Sequence, residues 1–327
     1  MRCRDLQLRL GVIGERFSRI FLHRPASSSY NSAIGLFYYF LMVTLFRCLS
    51  VLPLWLLHAL GALLGWLSYM LSGVYRARFV ANAKQAGFSS SQVRAAVGHA
   101  GRMVTELPRL WMGAAPHFEW QGAELVDAQY AAGKGVLFLT PHLGCFEVTA
   151  QGLAQRYSAQ YGDLTVLYRP ARKAWMAQLI ESSRNRPGLV AVPTTLAGVK
   201  HMIKALKAGR AVGLLPDQVP PEGLGIWSPF FGRDAYTMTL SARLAQQTGA
   251  AVVLTWGQRL AWGRGYRLHF SALAAPLSSE LPQAVAQINA AMEGLIRQCP
   301  AQYLWGYARY KAPPAAFGNV AVAKGDV

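Results

Sequence analysis

His142 and Glu147 stand five residues apart, just past a short apolar run. That pairing of residue types suits general acid–base chemistry. The run Val136-Leu137-Phe138-Leu139 is bounded by Gly135 and by Thr140-Pro141, which reads as a buried strand. The stretch 143–157 has few breakers after Gly144 and predicts a helix. His142 then falls where a strand hands over to a helix, a place where open α/β sheets build sites. On one continuous helix, five residues turn through about 500° and the side chains diverge. With His142 still in the turn and Glu147 one turn into the helix, they can converge. A carboxylate bonded to one imidazole nitrogen fixes the tautomer and leaves the other nitrogen as a general base. The same spacing also suits a plain structural hydrogen bond, so the rest of the chain must decide. Cys145, inside the motif, lacks a flanking base of its own and is a poor candidate nucleophile.

Other unusual residues gather where further strands should end. Tyr168-Arg169-Pro170 follows one apolar run and Pro216-Asp217-Gln218 another, before a Pro/Gly loop that leads to Pro229-Phe230-Phe231-Gly232. Loops at the carboxyl ends of parallel strands carry sites. Arg169 is either a donor to an oxyanion or phosphate or a surface arginine. Asp217 either pairs with a substrate group or Arg169, or caps a turn. Phe230 and Phe231 read as core at least as readily as ligand wall. Glu106 is expected to pair with nearby arginines.

The pattern that must position these residues alternates. Strands are predicted over 136–139, 164–168, 189–192, 211–215, 251–255 and, as an edge, 266–270. Helices are predicted over 143–157, 174–183, 196–206 and 237–248, with a last one through Val285, Ile288, Met292 and Leu295. Ser89 and Gln92 fit a capping box opening a helix that ends before Pro108. The expected fold class is α/β, a mostly parallel sheet flanked by helices.

Of 327 residues, 33 are Lys or Arg and 15 Asp or Glu, for a formal charge of +18, yet 53% are hydrophobic and only 15% charged. Basic and apolar together suits an anionic membrane surface or an acidic partner. It does not suit a nucleic-acid binder, whose Lys and Arg would cluster among stacking aromatics. Cys3, Cys48, Cys145 and Cys299 are scattered, with neither zinc nor Cys-x-x-Cys spacing. Between Pro25 and Tyr75 the only formal charge is Arg47; 33–46 is slightly short for a membrane span, while 51–71 is about long enough. Both flanks are basic, so neither an orientation nor the number of passes is fixed. The expected organisation is a basic segment (1–30), a transmembrane or interfacial anchor (31–75), a catalytic domain (76–311) and a disordered tail (312–327).

The motifs together resemble the late lipid A biosynthesis acyltransferases, the lauroyl/myristoyl transferases of Gram-negative bacteria. The resemblance covers nearly the whole chain: the basic, apolar N-terminus with Arg78–Asn82, His142-x-Gly144-x-x-Glu147, Tyr168-Arg169-Pro170 and Leu215-Pro216-Asp217-Gln218. It continues through Pro229-Phe230-Phe231-Gly232, Thr237, Ala242-Arg243-Leu244-Ala245 and Pro300-x-Gln302-Tyr303-Leu304-Trp305. It implies a glycerolipid acyltransferase-like fold with an N-terminal membrane-anchoring helix or helix pair, at the bacterial inner membrane with the domain on the cytoplasmic face. His142 and Glu147 would be the catalytic dyad. Arg169, Asp217, Gln218, Phe230, Phe231, Gly232 and Thr237 would serve substrate binding or oxyanion and phosphate contacts. The implied reaction is direct O-acyl transfer to a lipid A precursor, with acyl carrier protein or CoA thioester as co-substrate and neither cofactor nor metal. The implied partners are acidic acyl carrier protein, the precursor and anionic membrane lipids, with no nucleic acid.

Two departures bear on specificity: Cys145-Phe146 stands where the family commonly has Asn-Trp, and Val219-Pro220-Pro221-Glu222 is unusually Pro-rich. The alternative with the same chemistry is acylation of a lysophospholipid or other lysolipid. Those enzymes usually carry Asn before the histidine and Asp at the end, where this chain has Pro141 and Glu147. A remoter alternative is a non-catalytic protein that binds anionic lipid. No Gly-x-Ser-x-Gly elbow is present to support a serine hydrolase.

Overall fold

A computed structural model describes residues 29–168 and 186–314. Helices α1 (Ser29–Ser50), α2 (Leu54–Leu71) and α3 (Gly73–Gln85) lead into α4 (Ser90–Val93), α5 (Ala95–Thr105) and α6 (Leu107–Met112). The alternating part follows: β1 (Phe118–Gln121), α7 (Ala123–Ala131), β2 (Val136–Leu139), α8 (Phe146–Tyr161), β3 (Leu164–Tyr168), β4 (Leu189–Pro193), α9 (Leu196–Lys207) and β5 (Ala211–Leu214). Then come β6 (Gly225–Phe230), β7 (Arg233–Met238), α10 (Leu240–Thr248), β8 (Ala251–Arg259), β9 (Tyr266–Ala272) and α11 (Leu281–Gln298).

Seven strands form one sheet in the order β1-β9-β8-β2-β5-β3-β4. Every neighbouring pair is parallel except β8 with β9. β2, at the centre, is buried at all four positions. Because successive side chains on a strand point to opposite faces, Leu137 and Leu139 join one core and Val136 and Phe138 the other. The first core packs α9, α10 and α11 side chains such as Met202, Leu244 and Ile288; the second packs α7 and α8 side chains such as Val126 and Leu153. Burying each such side chain contributes about 1.5–3 kcal/mol, which explains an apolar run as continuous as Val136–Leu139. The sheet is therefore the expected α/β layer, covered by helices on both faces.

Three expectations change. Thr237 lies in β7, not in a helix, which starts at Leu240. Residues 233–238 pair antiparallel with 225–230 around a two-residue turn, Phe231-Gly232, whose φ values of 48° and 72° are those of a hairpin turn. β9 is not an edge, because the four-residue β1, too short to read from sequence, pairs on its outer side. The helix opened by the Ser89–Gln92 capping box breaks into three pieces, with Pro108 opening the last. The predicted helix 174–183 and the basic segment 1–28 lie outside the described residues.

Among the described residues one helix, α2, is long and apolar enough to cross a membrane. Glu106 does pair with an arginine: fully buried, it accepts from Arg259 at 2.6 Å, from His58 at 3.1 Å and from the Tyr266 hydroxyl at 2.9 Å. These bonds join α2, the α5–α6 junction, β8 and β9.

Candidate active site

β2 and β5 are parallel neighbours, with Leu139 opposite Leu214. Each chain leaves the sheet through a proline, and three residues past its last strand position each presents a polar side chain, His142 from β2 and Asp217 from β5. Equal offsets from paired positions bring the two together. His142 Nδ1 lies 2.7 Å from Asp217 Oδ1, and the His142 backbone N–H donates to Oδ2 at 2.9 Å.

Burial alone would raise the Asp217 carboxyl. The His142 charge and the two bonds from His142 outweigh it, with Arg309 adding to them, and hold the carboxyl below its ordinary value. An ionised carboxylate only accepts hydrogen bonds, so Nδ1 carries a proton, and in the neutral imidazole the lone pair is on Nε2. Gln218 Nε2, 3.0 Å from that lone pair, is placed to donate to it. The His142 side chain is 15% exposed against 2% for Asp217, so a buried carboxylate backs a partly accessible imidazole. That arrangement is a tautomer-fixed general base.

The C-terminal segment 299–310 straps both loops. Leu143 bridges to Tyr303, the Gly144 N–H donates to the Gln302 carbonyl at 3.0 Å, and the Leu304 N–H donates to the His142 carbonyl at 3.2 Å. The Tyr303 hydroxyl donates to Asp217 Oδ2 at 3.3 Å, and burial keeps that phenol protonated by raising it well above its ordinary value. The Val219 N–H donates to the Tyr307 hydroxyl at 2.9 Å, tying down the β5 loop from its other side.

Gly144, at φ 60°, presses against the Gly257 carbonyl of β8 so closely that a Cβ would collide with it. Gly144→Ala is therefore expected to lose roughly 1–3 kcal/mol from backbone strain and more from the collision, together with the placement of His142. Thermal melting checks this; an unchanged midpoint would show that the turn accommodates a side chain.

Glu147 stands in the first turn of α8, which starts at Phe146 rather than at 143. Its described neighbour is Trp111, whose indole Nε1 is 3.5 Å away and whose ring lies 5.8 Å from Phe46 of α1. The Arg186 guanidinium, which donates to the Leu110 carbonyl at 2.7 Å, also feels the Glu147 charge. The carboxylate bonded to Nδ1 is thus Asp217.

Phe230, Phe231, Gly232 and Thr237 come together around the hairpin rather than beside Nε2. Thr237 is fully buried and accepts from Arg309 at 2.6 Å and from Asn289 at 3.1 Å. The Arg309 guanidinium lies 4.9 Å from the Phe230 ring centre, and the Phe231 N–H donates to Glu293 at 2.7 Å. Together they join the hairpin to α11 and to the strap that holds Asp217. Arg169 lies outside the described residues. Cys145 is buried, and burial with the nearby Glu106 charge pushes its thiol well up; since the thiolate is the nucleophile, it stays inert. Among the described residues no cluster of His, Cys, Asp or Glu could hold a metal ion.

Sequence reasoning did not find the His142–Asp217 pair, the strap or Trp111. One signal was available for the pair: Pro141-His142 and Pro216-Asp217 each follow an apolar run at the same distance.

The lipid A biosynthesis palmitoleoyltransferase of Escherichia coli (strain K12) is 26% identical over 200 residues, 60% of this chain and 62% of that protein. The lipid A biosynthesis lauroyltransferase of the same organism is 32% identical over 118 residues, 36% of this chain and 39% of that protein. A lipid A biosynthesis acyltransferase of Haemophilus influenzae is 24% identical over 187 residues, 57% of each. The chain thus spans less than two thirds of the length of the curated relatives it matches. A family model described as bacterial lipid A biosynthesis acyltransferase matches residues 29–312, through the helices, the sheet and the C-terminal strap alike. The chain belongs to that family.

Proposed function

We propose that the protein is a membrane-bound O-acyltransferase of the bacterial inner membrane. It moves a fatty acyl chain from an acyl carrier protein thioester, or acyl-CoA, to a hydroxyl of a lipid A precursor. The observation that carries this reading is the 2.7 Å bond from His142 Nδ1 to the buried Asp217, which leaves Nε2 of a partly exposed imidazole as the base.

In the proposed step the acceptor hydroxyl displaces the Gln218 amide from Nε2. Nε2 takes the hydroxyl proton as the oxygen attacks the thioester carbonyl. The tetrahedral adduct collapses with cleavage of the C–S bond, and the imidazolium returns the proton to the departing thiolate. Ester and thiol are the products, and no electron changes hands. Asp217 keeps the proton on Nδ1. Glu147 completes the catalytic dyad as a second negative charge that favours the imidazolium. Arg169 and the freed Gln218 amide are the proposed donors to the oxyanion or to a precursor phosphate. Phe230, Phe231, Gly232 and Thr237 act from behind, by fixing the strap.

The charge of +18 supports the partner assignment. Acyl carrier protein is acidic and the acceptor carries phosphates in an anionic bilayer, so both are steered towards a basic enzyme. Placing the domain on the cytoplasmic face gives it access to the donor.

The test gives detergent-solubilised full-length protein a radiolabelled tetra-acylated precursor and acyl carrier protein loaded with a range of acyl chains. Lysophospholipid runs in parallel as acceptor. Transfer to the precursor is expected. Transfer to lysophospholipid alone would overturn the substrate assignment, and no transfer to any acceptor would overturn the reaction.

A further inference from the structure

Helix α2 has the length and apolarity of a membrane span, but its inner face is locked to a polar helix. It runs antiparallel along α5. At Gly61, Gly65 and Gly101 the two backbones approach so closely that an added Cβ would strike the other helix. The Thr105 hydroxyl donates to the Leu57 carbonyl at 2.7 Å, and Arg102 Nε donates to the His58 carbonyl at 3.2 Å. The His58 side chain reaches the buried Glu106. Near the other end, the Arg94 guanidinium lies 5.4 Å from the Trp66 ring centre. Were α2 to cross a bilayer, Arg94 and Arg102 of the adjoining α5 segment would enter the hydrocarbon with it, where charged groups are strongly disfavoured.

The outer face of α2 is different. Trp55, Leu60, Leu63, Leu64, Leu67 and Met70 are all exposed. The turn between β8 and β9 packs Gly263 against the Trp55 backbone and holds Trp262, 88% exposed, beside the start of the helix. Arginines sit at both ends: Arg47 and Arg264 near the start, and Arg76, which donates to the Tyr69 and Met70 carbonyls, at the end. An apolar stripe with tryptophan at its margin and cations at its ends has the layout of an interfacial helix on an anionic monolayer. The stripe also adjoins the site, because Ser50, just before α2, accepts from Arg109 of α6 at 3.0 Å, and α6 carries Trp111 beside Glu147.

We infer that α2 does not span the membrane but lies in its plane, with Trp55, Trp262 and the leucine stripe sunk into one leaflet of anionic lipid. The Trp111–Glu147 side of the active site then faces the leaflet in which a lipid acceptor resides. The inference rests on the reading that the protein works at a bilayer.

The test places single cysteines at Val51, Gly73 and Lys134 of the full-length chain, after replacing Cys3, Cys48, Cys145 and Cys299. The variants are reconstituted in vesicles of phosphatidylcholine and phosphatidylglycerol. A membrane-impermeant maleimide is added before and after vesicle rupture. In-plane docking predicts that Val51→Cys and Gly73→Cys label to the same extent as Lys134→Cys before rupture. Opposite protection of the two helix ends would overturn it. A second arm floats the Leu63→Asp/Leu67→Asp double variant with the same vesicles; both side chains are exposed, so the fold should survive. A tenfold or greater loss of binding, larger at high salt, is expected, and wild-type flotation would overturn the inserted face. Neither readout depends on acyl transfer, so failure of the enzymatic reading leaves a separate record.

Discussion

Asp217→Asn should lower the transfer rate by about 10²–10⁴-fold, in kcat rather than KM, with little change in stability. Asparagine keeps the shape and can still accept from the His142 and Tyr303 donors. It also turns an NH₂ towards Nδ1, favours the wrong tautomer and leaves the proton on the nitrogen that should be the base. Glu147→Gln, which changes a charge not bonded to Nδ1, should cost less, about 10–10²-fold. Rates of both variants with the same donor and acceptor decide the matter. If Asp217→Asn stays near wild type while Glu147→Gln collapses, Glu147 orients the imidazole during turnover and the Asp217 bond is structural.

Glu106→Ala should destabilise the fold by about 3–5 kcal/mol, since it strands the buried Arg259 charge without its partner. The side chain is 0% exposed and accepts four hydrogen bonds from Arg259 and Tyr266 besides its His58 contact. A denaturant midpoint close to that of the wild type would contradict this account of how α2 is fixed to the sheet.

The same cluster sets a pH dependence. Burial pushes the Glu106 carboxyl up, but Arg259 and His58 outweigh it and hold it well below the ordinary range. Its contribution is present above the unfolded value and is lost as pH falls through the folded one. His99 acts in the same sense. Burial, then Arg259 and Arg102, lower it from 6.5 to about 2, so on acidification the unfolded chain takes up a proton that the folded chain refuses. Stability should therefore decline as pH falls below 6.5, and melting temperature against pH measures it.

Much of the sheet was legible because β2, β3, β5 and β8 are short apolar runs between breakers, a strong local signal. The order of those strands was not, and the site depends on it. β2 and β5 are neighbours although β3 and β4 intervene in sequence, so His142 met Glu147 in a linear reading and Asp217 in space. Thr237 was read into a helix because its strand is made by pairing with a Pro-containing partner, which local propensity does not see. Tyr303 entered only within a motif, without its partner, and Arg309 not at all, for the same reason: their partners lie 86 and 72 residues away. Glu106 was readable, because an acid in a basic, apolar chain has few ways to be buried except against an arginine.

In the proposed reaction His142 Nε2 takes the acceptor proton. It is tested most directly by the single-turnover rate of His142→Ala beside wild type, with acyl carrier protein as donor and lipid A precursor as acceptor. A loss of about 10³-fold or more is expected, with an unchanged melting temperature and no acyl group left on the protein. Transfer by the variant at near the wild-type rate, or a covalent acyl-enzyme trapped in either protein, would contradict it.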